Sequence, residues 1–153
     1  MDIRPIRRIV TGIDGAGRTA VLMDSTATSV LARPSRPGVA LTDLWATNQP
    51  VHFDDHLHDP VDRPVVLEPS SGGSVFRIVQ FDPEDPKTIA SIDGAAAFAD
   101  MAASHTVVAA SRHPYMHRTN TVDYAVILEG SITMVLDDED IDLQAGDVVI
   151  QRG

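Results

Sequence analysis

The sequence predicts an all-β protein of antiparallel strands, with one or two short helices at most. Three observations carry this. Short runs rich in Val, Ile, Leu and Thr recur along the chain, divided by Gly, Pro and Asp clusters that turn the backbone. Only one stretch, residues 89–103, is Ala-rich and free of strand-like alternation, and Gly94 interrupts it. Four Phe, two Tyr and one Trp among 153 residues leave the core to aliphatic side chains. Many short strands of this kind pack as an antiparallel barrel or sandwich. The length suits a single domain over residues 1–153, and no internal repeat or low-complexity linker divides it.

Taken in order, IRRIVTG (6–12) and RTAVLM (18–23) read as a hairpin around Asp14-Gly15, because glycine reaches positive φ without cost. Gly12, Gly15 and Gly17 do not follow the dinucleotide fingerprint, and a strand rather than a helix comes next, so a phosphate loop is set aside. ARPSRPG (32–38) is a loop, and VALTDLWATN (39–48) a strand around Trp45. Residues 50–69 are proline-rich and charged, an irregular excursion. GSVFRIVQF (73–81) is a strand, DPEDPK (82–87) a loop, 89–103 holds one short helix, and HTVVAAS (105–111) is a strand. Residues 124–128 form the next strand and Glu129-Gly130 turns it. Ile132, Met134 and Leu136 lie on its partner, four acidic residues at 137–140 make a solvated tip, and LQAGD (143–147) leads into VVIQ. Sequential strands with short turns predict a meander.

Net charge is −10, which repels phosphate backbones and argues against nucleic acid as a partner. The absence of cysteine removes disulfides, thiolate nucleophiles and thiolate-held zinc. Any metal must be held by His and carboxylate. The N-terminal MDIRPIRRIV has no apolar leader core, and no run of roughly 18 apolar residues occurs, so a cytoplasmic protein without a membrane partner is expected.

Two histidine clusters are candidate sites. HFDDHLHDPVD (52–62) holds His52, His56 and His58 with Asp54, Asp55, Asp59 and Asp62. Pro50, Pro60 and Pro64 break regular pairing there, so a solvated acidic loop is expected, with an ion site as the alternative. The second cluster is in HPYMHRTNTVD (113–123). If residues 117–123 are extended, His117, Thr119, Thr121 and Asp123 share one face, which continues as the apolar Ala125 and Ile127. That is either a polar patch inside an apolar pocket or a strand end emerging into water.

This closing stretch resembles the cupin superfamily, in particular its small single-domain members. The first cupin motif runs G-x5-H-x-H-x3/4-E-x6-G. Gly130 matches its last glycine, Asp123 stands at the glutamate position, His117 at the first histidine and Thr119 at the second. LQAGDVV (143–149) resembles the opening of the second motif, with Ala145 in place of proline. The resemblance implies an antiparallel jelly-roll β-barrel with its motif-bearing core at 105–153 and N-terminal strands within 1–104. The family's metal is held by three His and one Glu. Here only His117 and Asp123 stand at those positions, and Gly153 precedes the place of the last histidine, so the barrel is expected to be incomplete at its C-terminal side. The expectation is a divalent ion (Zn, Fe, Mn or Ni) weakly held by His117 and Asp123 or absent. His117 and Asp123 are the expected catalytic pair, with Asp123 setting the tautomer of His117. His113 and Thr119 are expected to bind substrate.

The family implies an enzyme of isomerase, lyase or decarboxylase type acting on a small polar metabolite. The alternative is a non-catalytic small-molecule-binding or sensor domain with a degenerate metal site. An open edge strand and the family likeness predict a homodimer.

Overall fold

A computed structural model describes residues 1–51 and 58–153. It is mostly β-strand, with nine strands and two short helices among these residues, in two compact units, Met1–Asp85 and Pro86–Gly153.

In the first unit, β1 (Arg7–Ile13) and β2 (Thr19–Thr26) form the expected antiparallel hairpin. Its turn is longer than a two-residue Asp-Gly loop. The Asp14 amide donates to the Arg18 carbonyl at 2.8 Å and the Gly17 amide to the Asp14 carbonyl at 2.9 Å, with Gly17 at φ 75°. This is a three-residue loop whose left-handed position falls on Gly17, not Gly15. The Arg18 and Ala16 amides both donate to the Asp14 carboxylate at 2.9 Å. The Arg18 amide foremost, against slight desolvation and aided by the Ala16 amide and the Arg18 side chain, holds this carboxyl below the usual range.

The core of this unit is a sheet in the order β3 (Val30–Ala32), β4 (Val39–Thr47), β5 (Ser74–Phe81). β3 is too short for its pattern to stand out in the sequence. β4 is central and buried on both faces from Val39 to Leu44, which accounts for its nearly continuous apolar run. Opposite Arg77 and Phe76 of β5 the register slips between Asp43 and Trp45, leaving Leu44 as a bulge. The Leu44 carbonyl, out of the ladder, accepts from Arg8 Nη1 at 3.0 Å.

Two Arg–Asp pairs fasten the proline-rich excursion to the sheet. Arg8 Nη1 donates to Asp59 Oδ1 at 3.0 Å, and its Nη2 to Asp59 Oδ2. Arg77 Nε donates to Asp43 Oδ1 at 2.6 Å, while its other nitrogens reach the Val66 carbonyl at 2.6 Å and the Leu67 carbonyl at 3.3 Å. Val61 and Val65 are buried beside these anchors. The described part of the excursion is therefore an ordered part of the unit, not only a solvated loop.

In the second unit, a one-turn helix, α1 (Pro86–Ile89), begins in the stretch expected to be a loop, and the short helix expected within 89–103 is α2 (Gly94–Ala99). Asp93 caps α2, accepting from the amides of Ala95 at 2.9 Å and Ala96 at 3.2 Å. Gly94, read from sequence as an interruption, is the first residue of the helix, and a Cβ there would collide with the Pro114 carbonyl oxygen. Gly94→Ala is expected to cost about 1–3 kcal/mol through overpacking, measurable by urea unfolding.

The strand expected at 105–111 does not form. A 3-10 turn, Ser104–Thr106, is followed by a single bridge between Val107 and His117, and Ala110 at φ 59° turns the chain away before a ladder can extend. The buried core of this unit is Ala97, Phe98, Met101, Ala103 and Tyr115, centred on α2.

Four strands follow: β6 (Val122–Val126), β7 (Ser131–Val135), β8 (Asp140–Gln144) and β9 (Val148–Arg152). They do not form the expected meander. β7 pairs with β8, and β6 pairs with β9 around them. The loops decide this. The Ile127 amide donates to the Asp147 carbonyl at 3.0 Å and the Gly146 amide to the Ile127 carbonyl at 2.9 Å, which sets Val126 opposite Val148. Gly130 at φ 73° and Gly146 at φ 97° supply the left-handed positions these loops require.

The acidic tip between β7 and β8 is gripped by Arg112, which donates to the Leu136 carbonyl at 2.6 Å and pairs with Asp140 at 3.0 Å. Ala125, expected to face a barrel interior, is exposed, and Ile127 is half-buried. The opposite face of β6 and β9 is apolar and open, with Tyr124 78% exposed beside Val122, Val126, Val148 and Ile150. No sheet among the described residues closes on itself, and no helix among them is long and apolar enough to cross a membrane.

Candidate functional site

The HPYMH segment is an irregular loop, and its middle residue organises it. Tyr115 is buried, and its main chain holds both histidines. The Tyr115 amide donates to His113 Nδ1 at 3.3 Å, and His117 Nδ1 lies 3.0 Å from the Tyr115 carbonyl oxygen. A carbonyl can only accept, so His117 carries its proton on Nδ1. An amide can only donate, so Nδ1 of His113 is unprotonated. Two histidines four residues apart are thereby held in opposite tautomers by one residue. For neutral His117 this leaves Nε2 as the acceptor nitrogen of the ring.

His117 is fixed on further sides. Its ring lies against Phe98 of α2, with centroids 4.7 Å apart and planes inclined at 43°. Its main chain is bracketed by the Arg118 amide donating to the Thr106 carbonyl at 2.8 Å and the Val108 amide donating to the Met116 carbonyl at 3.1 Å. The His113 ring contacts the Tyr115 ring at 5.3 Å. The capped start of α2, abutting Pro114 at Gly94, joins this helix directly to the histidine loop.

The other expected residues are placed differently. Thr119 is half-buried and its Oγ1 lies 2.7 Å from Thr121 Oγ1, so those two keep the predicted common side. The chain then bends at Asn120, and β6 begins only at Val122. Asp123 is exposed on β6, paired with Gln151. The tautomer-setting contact expected of Asp123 is made by the Tyr115 carbonyl. Tyr115 and Phe98 escape a sequence search for ligands and bases because Tyr115 acts through its main chain and Phe98 through its apolar ring. The placement of Tyr between the two histidines and of a lone Phe in an alanine run was their only trace in the sequence.

Among the described residues no three His, Asp or Glu side chains converge as ligands for one ion. A tightly held resident metal therefore does not fit the donor set of the described residues. In the other cluster, His52, Asp54, Asp55 and His56 lie outside the described residues, His58 and Asp62 are exposed, and Asp59 is committed to Arg8.

No protein-family model matches the chain. Over 39 residues it is 54% identical to Phomopsin biosynthesis cluster protein C' and to Phomopsin biosynthesis cluster protein D, both of Diaporthe leptostromiformis. The aligned segment is 25% of this chain and 21% of each relative, so the chain spans about a fifth of the length of the proteins it matches.

Proposed function

We propose that the chain is a cupin-type, jelly-roll enzyme acting on a small polar metabolite by proton transfer, of isomerase, lyase or decarboxylase type, with His117 as the proton carrier. The observation that carries this reading is the Nδ1 contact of His117 with the Tyr115 carbonyl. Neutral His117 accepts a proton at Nε2, and the cation that forms is stabilised by the bond from Nδ1 to that carbonyl. Thr119 and His113, on the same irregular segment, are the groups proposed to hold the substrate's polar atoms. Nesting of β6 and β9 around the β7–β8 hairpin supports the jelly-roll part of the reading.

A second reading, a binding or sensor domain, is favoured by the exposure of Asp123 and by the absence of any carboxylate hydrogen-bonded to His117 among the described residues. The open apolar face at Tyr124 supports self-association in either case, and a strict monomer in sedimentation would count against it.

His117→Ala is expected to abolish turnover and ligand binding and to lower the unfolding free energy by about 1–3 kcal/mol, since the Tyr115 hydrogen bond and the Phe98 ring contact go with it. Retained turnover would exclude His117 as the proton carrier, and retained ligand binding would exclude it from the binding site. Metal analysis of the purified chain should find zinc, iron, manganese or nickel well below one per chain, since no three His, Asp or Glu side chains converge among the described residues.

A further inference from the structure

We propose that Phe98 is a positioning residue for His117, and that with the Tyr115 carbonyl it presents Nε2 of this imidazole as a preset acceptor for a hydroxyl or other acidic proton of a small polar ligand. The proposal deepens the proton-carrier reading and rests on it for the role of Nε2. Its geometric part stands independently.

A histidine in an irregular loop ordinarily samples several ring orientations and both neutral tautomers. His117 is restricted in each respect. The bonds of Arg118 to Thr106 and of Val108 to Met116 hold its backbone. The carbonyl of Tyr115 accepts from Nδ1 and so selects one tautomer. Phe98 lies against the ring at 4.7 Å and sets its plane. Phe98 is itself only 2% exposed at the centre of the unit's core, on a helix capped by Asp93 and seated against Pro114 at Gly94. A catalytic base needs this kind of support, because a ring free to rotate spends most of its time misdirected. The tilted Phe98 ring also occupies one side of the imidazole, so a ligand approaches Nε2 from the remaining directions. The class that fits is a small molecule offering a hydrogen-bond donor, such as a hydroxy acid or a sugar hydroxyl.

The test is nitrogen-15 NMR of the imidazole rings in the full chain, at about pH 8 where ordinary imidazoles are neutral. In the wild type, Nδ1 of His117 should have the shift of a protonated ring nitrogen and Nε2 that of an unprotonated one, with Hδ2 and Hε1 of His117 displaced by the ring current of Phe98. Phe98→Leu, which keeps most of the buried volume, should abolish the ring-current displacement and move both nitrogens toward averaged shifts. Met101→Leu, a core change of similar scale on the same segment, should leave the His117 spectrum unchanged. A protonated Nε2 in the wild type, or a His117 spectrum unaffected by Phe98→Leu, overturns the proposal. A response to Met101→Leu as large as that to Phe98→Leu reduces Phe98 to ordinary packing and also overturns it. A correct His117 spectrum that a panel of hydroxy acids and monosaccharides leaves unperturbed overturns the ligand class and the proton-carrier reading, while the positioning role of Phe98 stands.

Discussion

Arg77→Met is expected to destabilise the unit spanning Met1–Asp85 by about 3–5 kcal/mol, the cost of stripping a buried charge of its partner. Asp43 is 1% exposed on the central strand, and both its carboxylate oxygens take hydrogen bonds from Arg77, at 2.6 and 3.2 Å. Methionine keeps the apolar stem of the arginine and removes only its donors, so the loss reads out the charge and not a cavity. The Val66 and Leu67 carbonyls lose their donor as well, which releases the proline-rich excursion from the sheet. Each of those bonds is worth about 1 kcal/mol. Replacing both members, Arg77→Met with Asp43→Leu, should recover much of the loss, since an apolar pair of similar volume is often no worse than a buried ion pair. Urea unfolding followed by fluorescence of Trp45, the single tryptophan and a residue of β4, reports this unit directly. A single-mutant loss below about 1 kcal/mol would mean that water reaches Asp43.

Asp59→Ala should cost about 3–4 kcal/mol, for the related reason that Arg8 would be left charged and only 8% exposed. The wild-type pair also predicts a pH dependence. Partial burial alone raises the Asp59 carboxyl, but the Arg8 hydrogen bond, the Val61 amide and the charges of Arg8 and His58 outweigh it, and the carboxyl sits below the usual aspartate range. The unfolded chain therefore binds the proton more readily than the folded one. The stabilisation is complete above the unfolded value of about 3.9 and is lost as pH falls through the lower folded value. Stability measured against pH should fall more steeply in acid for the wild type than for Asp59→Asn, with the two curves converging at the acid end. Parallel curves would show that Asp59 does not supply this acid sensitivity.

Much of the strand content was legible because it rests on short-range pattern. The alternation in SVFRIVQF, the apolar run at 39–47 and the Gly-Asp turn signals each reflect residues that favour a pleated, half-buried backbone. HTVVAAS carries the same pattern and fails, because a strand needs a partner along its length and Ala110 leaves the ladder after one bridge. The candidate site shows a similar division. Its titratable members, His113 and His117, stand out in the sequence, whereas the parity that grouped Asp123 with them assumed an extended chain that bends at Asn120.

The sequence by itself determined a β-rich chain of net charge −10, the hairpin at Asp14 and the residue types available to the loop at 113–117. Tertiary structure alone decided that β6 pairs with β9 across an intervening hairpin, that Arg8 and Arg77 fasten a proline-rich excursion to a sheet, and that Phe98 and the Tyr115 carbonyl set the ring of His117. The physical reason is range. Propensity, turn chemistry and periodicity act within a few residues. Strand partner choice, ion-pair choice and imidazole tautomer depend on groups that only folding brings within hydrogen-bond distance.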